Sequence, residues 1–364
     1  MILLLLGCIH AAVPEVEVPR VALRSVQEGE RPAQLQVDRG LRAAAEELIG
    51  AATRADARLD PASVRLALAR AGYPRDAHFL QAITADGSVP RSLLDAIPTA
   101  SPADVGWGSR PAPGGGTRWI LGWAPRVGSI DPLPRDVALD KGLPLRVDGL
   151  DTPRLFIGSP DGRAQEFEIL EGVARWMDVF HIPGEYRVEV VDGDRVVFLF
   201  SLFVETPVPP AAPLPGPAPA VDPRVVSADL AARVNALRAR TGLAPLTPFP
   251  RFEPETRAHA ACLASIGAVA HSTPRCPGVP AMAERAYFPR ADHHEDVVAA
   301  DSAPDAWDRL YDSPGHRLNL LCAPCRGLTV GSALEGAPPS RVYSVIEVLD
   351  FPQGEPVPII RGRQ

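Results

Sequence analysis

Ser313-Pro314-Gly315-His316-Arg317-Leu318-Asn319-Leu320-Leu321 sets a serine and a histidine into one short stretch of a 364-residue chain that holds only eight histidines. Five of those eight, His259, His271, His293, His294 and His316, fall in the last third, beside acids and four of the five cysteines. Imidazoles next to carboxylates are the side chains of proton transfer and of transition-metal binding, so the chemistry of the molecule is expected there. Ser272 and Ser313 adjoin histidines in the chain. Adjacency in sequence is not nucleophile-to-base geometry, and a serine hydrolase is not inferred from it.

The surroundings of this stretch alternate between helical and strand periods. Ser227 can cap a helix in which Leu230, Val234 and Leu237 share a face, ended by Gly242. A second helix sets Ala258, Ala261, Cys262, Ser265, Ile266 and Val269 on one stripe. Toward the end, Leu328 and Val330, then Tyr343 and Val345, alternate over 326–334 and 341–349 as two antiparallel strands would. Cys262, Cys276, Cys322 and Cys325 are an even set, as disulfides in an oxidising compartment require, and three pairings are open. Cys322-Ala323-Pro324-Cys325 also has the spacing of a zinc or redox site, without a second such pair or a thioredoxin context.

Asn235-Ala236-Leu237-Arg238 with Thr241-Gly242-Leu243-Ala244-Pro245-Leu246, then Arg257-Ala258-His259-Ala260, Ala270-His271-Ser272 and the opening stretch follow in order. Together they resemble the bacterial branch of the superfamily of cysteine-rich secretory proteins, antigen 5 and pathogenesis-related 1, the CAP or SCP domains, over about Val225 to Val348. The resemblance implies an α-β-α sandwich with a cleft where two histidines and one or two acids converge and, in several members, hold a divalent cation. Matched residue by residue, His271, Glu295 and His316 are the cleft residues, with His294 and Asp296 standing where the family has Gly and Asn. Asp308 or Asp312 would fill the place of the further acid. Two imidazoles and a carboxylate suit zinc or a similar ion and leave a position for water. The alternative is a hydrogen-bonded polar knot that braces loops. His259 and His293 read as structural or surface residues.

Upstream, Pro207 to Pro223 packs eight prolines into seventeen residues and is expected to be a stiff polyproline II spacer between separate domains. Before it the period is two: Leu143, Leu145 and Val147; Phe167 and Ile169; and Tyr186, Val188 and Val190, leading through Asp192-Gly193 to Val196, Phe198, Phe200 and Leu202. With the turn at Ser159-Pro160-Asp161-Gly162, this reads as an antiparallel sandwich, and Pro183-Gly184-Glu185-Tyr186 resembles the entry to a late strand of immunoglobulin-like modules. Gly114-Gly115-Gly116 lacks a nucleotide-loop setting and reads as a turn. Leu41, Ala44, Ala45, Leu48 and Ala52 share a helical face, and Asp60-Pro61 opens a second helix that Gly72 ends, so a small helical module is expected, its His78 without a chemical role.

The N-terminus sets the compartment. Ile2 to Ile9 is a short apolar run ending in Leu5-Leu6-Gly7-Cys8, which resembles a bacterial lipobox, so Cys8 would carry a lipid and Ile9 after it favours an outer-membrane destination. No run of 18 apolar residues exists to span a bilayer. Net charge is -7 and, of 37 basic residues, only Lys141 is lysine, so neither a phosphate-tracking surface for nucleic acid nor a P-loop is present.

The expected fold class is multidomain α+β: lipoprotein signal 1–8, tether 9–37, helical module 38–105, immunoglobulin-like β-sandwich 111–206, proline-rich linker 207–223, CAP domain 224–352 and tail 353–364. The expected function is that of an exported, lipid-anchored envelope protein whose cleft binds a lipid or cell-wall ligand, with a divalent cation optional. A metal-assisted hydrolase of envelope peptides or polysaccharides, and a purely structural protein, are the other readings.

Overall fold

The computed structural model describes residues 35–350, apart from 98–100, 135, 141–142, 177–178, 220, 279–280, 283–291 and 337–340. The lipobox with Cys8, almost all of the tether and the tail lie outside the described residues.

The first unit contains β1 (Leu35–Val37), α1 (Arg39–Ala51), α2 (Pro61–Ala71), β2 (His78–Thr84), α3 (Arg91–Asp95), β3 (Ala103–Pro111) and β4 (Thr117–Pro125). Both expected helices form with their caps: Asp38 accepts from the Leu41 amide, Asp60 accepts from Ser63, and Gly72 is left-handed after α2. The unit is nevertheless not a helical bundle. Its backbone is a four-stranded sheet in the order β1-β3-β4-β2, with α1 and α2 on one face and α3 on the other. The reason lies in β3, where α1 lies directly on the strand: a Cβ at Gly106 would meet the Arg42 amide nitrogen at 2.3 Å, and one at Gly108 the Ala45 carbonyl oxygen at 2.9 Å. Glycine weakens the sequence signal of a strand at the very place where close helix packing demands it. The three-glycine run joins β3 to β4 as a hairpin turn, and the unit therefore runs to residue 125 rather than 105.

The second unit has two sheets around one core. β5 (Ser129–Ile130), β7 (Leu143–Asp148) and β10 (Val173–Trp176) form one, in the order β10-β7-β5. The other contains β6 (Asp136–Val137), β8 (Pro153–Gly158), β9 (Ala164–Glu168), β11 (Gly184–Asp192) and β12 (Arg195–Val204), in the order β6-β12-β11-β8-β9. Leu145, Val147 and Ala174 from the first sheet pack on Leu155, Ile157, Val188, Val190, Phe198 and Phe200 from the second. The β11–β12 hairpin turns at Gly193-Asp194, one residue later than the Asp-Gly reading, and only Gly193 has positive φ, at 60°.

The third unit is α4 (Pro223–Arg240), β13 (Thr247–Pro248), α5 (Glu253–Ile266), β14 (Asp292–Ala300), α6 (Ala303–Asp312), α7 (Pro314–Leu320), β15 (Gly327–Leu334) and β16 (Val342–Asp350). Its sheet runs β13-β15-β16-β14. Alternation along the strands sends Val298, Ala300, Leu328, Val330, Ile346 and Val348 to the face covered by α4, α6 and α7, and Val297, Ala299, Tyr343 and Val345 to the face covered by α5. The result is a three-layer α-β-α arrangement. Full burial of Leu230, Val234, Leu310 and Leu320 on the first face contributes roughly 1.5–3 kcal/mol each.

Two helical details differ from the expectation. Asp222, not Ser227, caps α4, and Ser227 instead hydrogen bonds Ser332 at 2.9 Å from within the helix. In α5 the buried residues are Thr256, His259, Ala260, Leu263 and Ala264, while Ala258, Ala261 and Ser265 face solvent and Val269 lies beyond the helix.

The proline segment is not a free stalk. Leu214 is buried in the core of the first unit, its amide donates to the Ala51 carbonyl, and the Arg58 amide donates to Pro215. The third unit is seated against both others. Arg58 pairs with Asp305 at 2.6 Å, Arg65 bridges Glu185 and Asp312, and the Arg187 guanidinium donates to the Asp312 carbonyl at 3.1 Å.

Candidate functional site

Strand β14 builds the site because its residues alternate between two faces. His293 and Glu295 point toward α5, and His294 and Asp296 toward α6 and α7.

On the α5 face, Glu295 is buried, with Oε1 2.9 Å from His271 Nδ1 and Oε2 3.7 Å from His259 Nε2. Directly across the ladder stands Glu347, fully buried. Burial, and then the charge of Glu295, push the Glu347 carboxyl well above the carboxylate range. His293 Nδ1 lies 3.7 Å from Glu347 Oε2. His271 is the open end of this cluster, its side chain 60% exposed, and its hydrogen bond to Glu295 raises its pKa against a smaller opposing effect of burial.

His316 enters from α7. Ser313 caps that helix by accepting from the His316 amide at 3.2 Å, and its own hydroxyl donates to Glu189 of the second unit, whose carboxylate also takes the Gly315 amide at 2.8 Å. The helix start is thereby fixed by a neighbouring domain. Burial, and secondarily the charge of nearby His271, lower the His316 pKa from 6.5 to about 4, so the ring is neutral above that pH. On the same side Asp296 is fully buried, accepts from Asn319 at 2.8 Å, and has its pKa raised well above the usual value by burial.

The motif residues thus divide. The structure joins His271 to Glu295 and places His316 within electrostatic reach of His271. Asp308 and Asp312 do not enter the cleft: Asp312 pairs with Arg65 of α2, and Asp308 lies in the field of both. Nor do the three motif residues gather as a cation site. Among the described residues, the histidine, cysteine and carboxylate set whose ligand atoms lie within 4.8 Å of one another is His294, Cys322 and Cys325. The ligand atoms of His271, Glu295 and His316 do not all lie within that distance of one another, and no step is routed through a metal there. Ser313, committed to Glu189, is a helix cap and not a nucleophile.

Glu347 escaped the sequence reading, although Tyr343, Val345 and Glu347 continue one period-two face, and an acid on a buried face is the signal that finds it. His259, expected to be structural or at the surface, is buried, because the stripe assigned to α5 runs along the helix's exposed side. His259 is buried and His293 half-buried beside the acids. The cysteines pair as Cys262–Cys276 and Cys322–Cys325. Away from the cluster, a groove of ≈ 480 Å³ runs between α4 and α5, lined by Ala228, Ala231, Pro248, Phe249, Leu328 and Val330.

The third unit is thus a three-layer α-β-α arrangement with His271 hydrogen bonded to Glu295 on an edge strand and two disulfides. Residues 231–345 match the family described as CAP, Cysteine-rich secretory protein family, so the chain carries a CAP domain over that span. Solved structures similar to this chain include an outer surface protein from Borrelia burgdorferi, at 14% identity over 36% of this chain and 98% of that one, TM-score 0.31. An extracellular protein containing a SCP domain from Bacillus anthracis matches at 14% identity over 61% and 69%, TM-score 0.32. A cysteine-rich secretory protein from Staphylococcus aureus matches at 13% identity over 58% and 77%, TM-score 0.30. No curated protein matches the chain. No helix among the described residues is long and apolar enough to cross a membrane.

Proposed function

We propose that this chain is an exported envelope protein, anchored to the outer membrane through a lipid on Cys8, whose CAP domain binds a lipid or cell-wall component at the cleft of His271, Glu295 and His316. One observation carries the reading: half-exposed His271 rests on buried Glu295 beside a neutral His316, with no free nucleophile and no gathered metal donors in the motif residues. Such a site offers charged and neutral hydrogen-bonding groups to a polar headgroup or glycan. The second unit is read as an immunoglobulin-like module. Supporting this are the parallel pairing of β6 with β12 and Tyr186, whose hydroxyl donates to the Ile182 carbonyl at 3.1 Å four residues upstream.

The test is cosedimentation of the full chain with phospholipid vesicles and with insoluble peptidoglycan. Binding that is lost in both His271→Ala and His316→Ala supports the cleft. Binding untouched by both moves the ligand to the apolar groove between α4 and α5, and turnover of peptide or polysaccharide abolished by His316→Ala favours the metal-assisted hydrolase. Labelling of the wild type but not of Cys8→Ser by a fatty-acid probe tests the anchor.

A further inference from the structure

The face of β14 opposite Glu295 carries a second set of donors that the cleft does not use. His294 projects toward the turn after α7, where one of its ring nitrogens and the sulfurs of Cys322 and Cys325 lie within 4.8 Å of one another. No hydrogen bond or ion pair joins the His294 side chain to another described residue. Cys325 is buried and Cys322 half-buried.

The turn that carries the two cysteines is held by the backbone independently of their bond. On its leading side the Leu321 amide donates to Arg317 and the Cys322 amide to Asn319. On its trailing side the Arg326 amide donates to Leu349, and the Arg326 carbonyl accepts from Thr247. From beneath, the guanidinium of Arg238, 1% exposed, donates to the carbonyls of Leu320 and Cys322 at 2.9 Å each. A bond that closes a separation of only 3 residues adds little to a turn already fixed at both ends. The same fixed positive charge near the sulfurs favours thiolate once the bond is opened.

We propose that Cys322, Cys325 and His294 form a redox-gated metal site, closed to metal as the disulfide and binding one thiophilic divalent cation, zinc by its chemistry, when reduced. The reductant is a dithiol. It delivers two electrons and two protons to the Cys322–Cys325 bond, leaves two thiols on the protein and takes the disulfide onto itself. The cation then displaces the two thiol protons and binds two thiolates and the neutral imidazole, a soft donor set of three with a fourth position for water.

Cobalt(II) is the probe, because thiolate ligation gives a near-ultraviolet sulfur-to-metal charge-transfer band that imidazole and carboxylate ligands cannot produce. The full chain is titrated with cobalt(II), oxidised and after dithiol reduction and removal of the reductant, with circular dichroism recorded alongside. The proposal expects the band in the reduced chain only, saturating at one metal per chain, absent in Cys325→Ser, and displaced by zinc. His294→Ala should weaken binding by at least the roughly tenfold to hundredfold that loss of an outer-shell partner costs. A reduced, folded chain without the band overturns the site. A band of equal strength in His294→Ala, which points to cysteines elsewhere in the chain, overturns it equally, as does loss of the folded spectrum on reduction. Cobalt uptake without the charge-transfer band, lost in His271→Ala, would place the metal in the other cleft and also refute the assignment.

Discussion

Two faces of one strand carry two kinds of chemistry. Toward α5, His293 and Glu295 stand with His271, His259 and Glu347 in a cluster of acids and bases, His271 hydrogen bonded to Glu295 and the other imidazoles 3.7 Å from a carboxylate. Toward α7, His294 and Asp296 stand with Asn319 and the cysteine turn, where backbone carbonyls converge on one arginine. The difference shows that a period of two lets neighbouring residues serve separate environments, a cluster of acids and bases and a rigid loop of soft donors, with no side chain in common. Substitution on one face should therefore leave the other intact.

The largest effect expected is on the α7 face. Arg238→Met strands three carbonyls, the buried one of Leu320 and the half-buried ones of Ala244 and Cys322, and should cost roughly 3 kcal/mol in urea unfolding. A loss below about 1 kcal/mol would mean that the turn does not depend on the arginine. On the α5 face, Glu295→Ala removes the hydrogen-bond partner of His271 and the charge facing Glu347, at a cost of roughly 2–3 kcal/mol. It should also return His271 toward its ordinary pKa in an NMR titration while the amide shifts of Cys322 and Cys325 stay in place. Because the folded pKa of His271 is raised, its contribution is complete below pH 6.5 and fades as the pH climbs through the elevated value.

His316 has the opposite sign. Its folded pKa, about 4, lies below the unfolded 6.5, so the unfolded chain takes up the proton first and stability falls as the pH drops between those values. His316→Gln should flatten that decline by on the order of 1–2 kcal/mol, measured as urea midpoints between pH 7 and pH 4. The smallest effect is expected for Glu347→Gln. Burial raises the pKa of this carboxyl well above the usual range, so a neutral amide of the same shape should change stability by under about 1 kcal/mol at neutral pH. A loss of several kcal/mol would show that Glu347 is ionised in the fold.

What was legible in the sequence followed local rules. His271, Glu295 and His316 lie in or beside short ordered motifs, and the caps at Asp38, Asp60 and Gly72 are fixed by the residues next to them. What was missed depends on contacts distant in the chain. The sheet of the first unit was hidden because Gly106 and Gly108 mark helix packing, which no local period reports. The burial of His259 turned on which side of α5 meets the sheet, and its apolar residues lie on both sides. The role of Asp312 could not be read from its neighbours, since its partner Arg65 lies 247 residues away. Proline content did not show that Leu214 would anchor the segment in the first core.

That anchoring, with the carboxylate of Glu189 seated on the start of α7, bears on how the molecule comes apart. Excision of the terminal module at residue 223 would bare the Gly315 amide and the Ser313 hydroxyl and free Asp305 and Asp312 from their arginines. The boundary that sequence families recognise is therefore not a boundary of cooperativity. Heating the full chain should melt the seated units in a single calorimetric transition, and the excised module should melt lower than the same residues do within the whole.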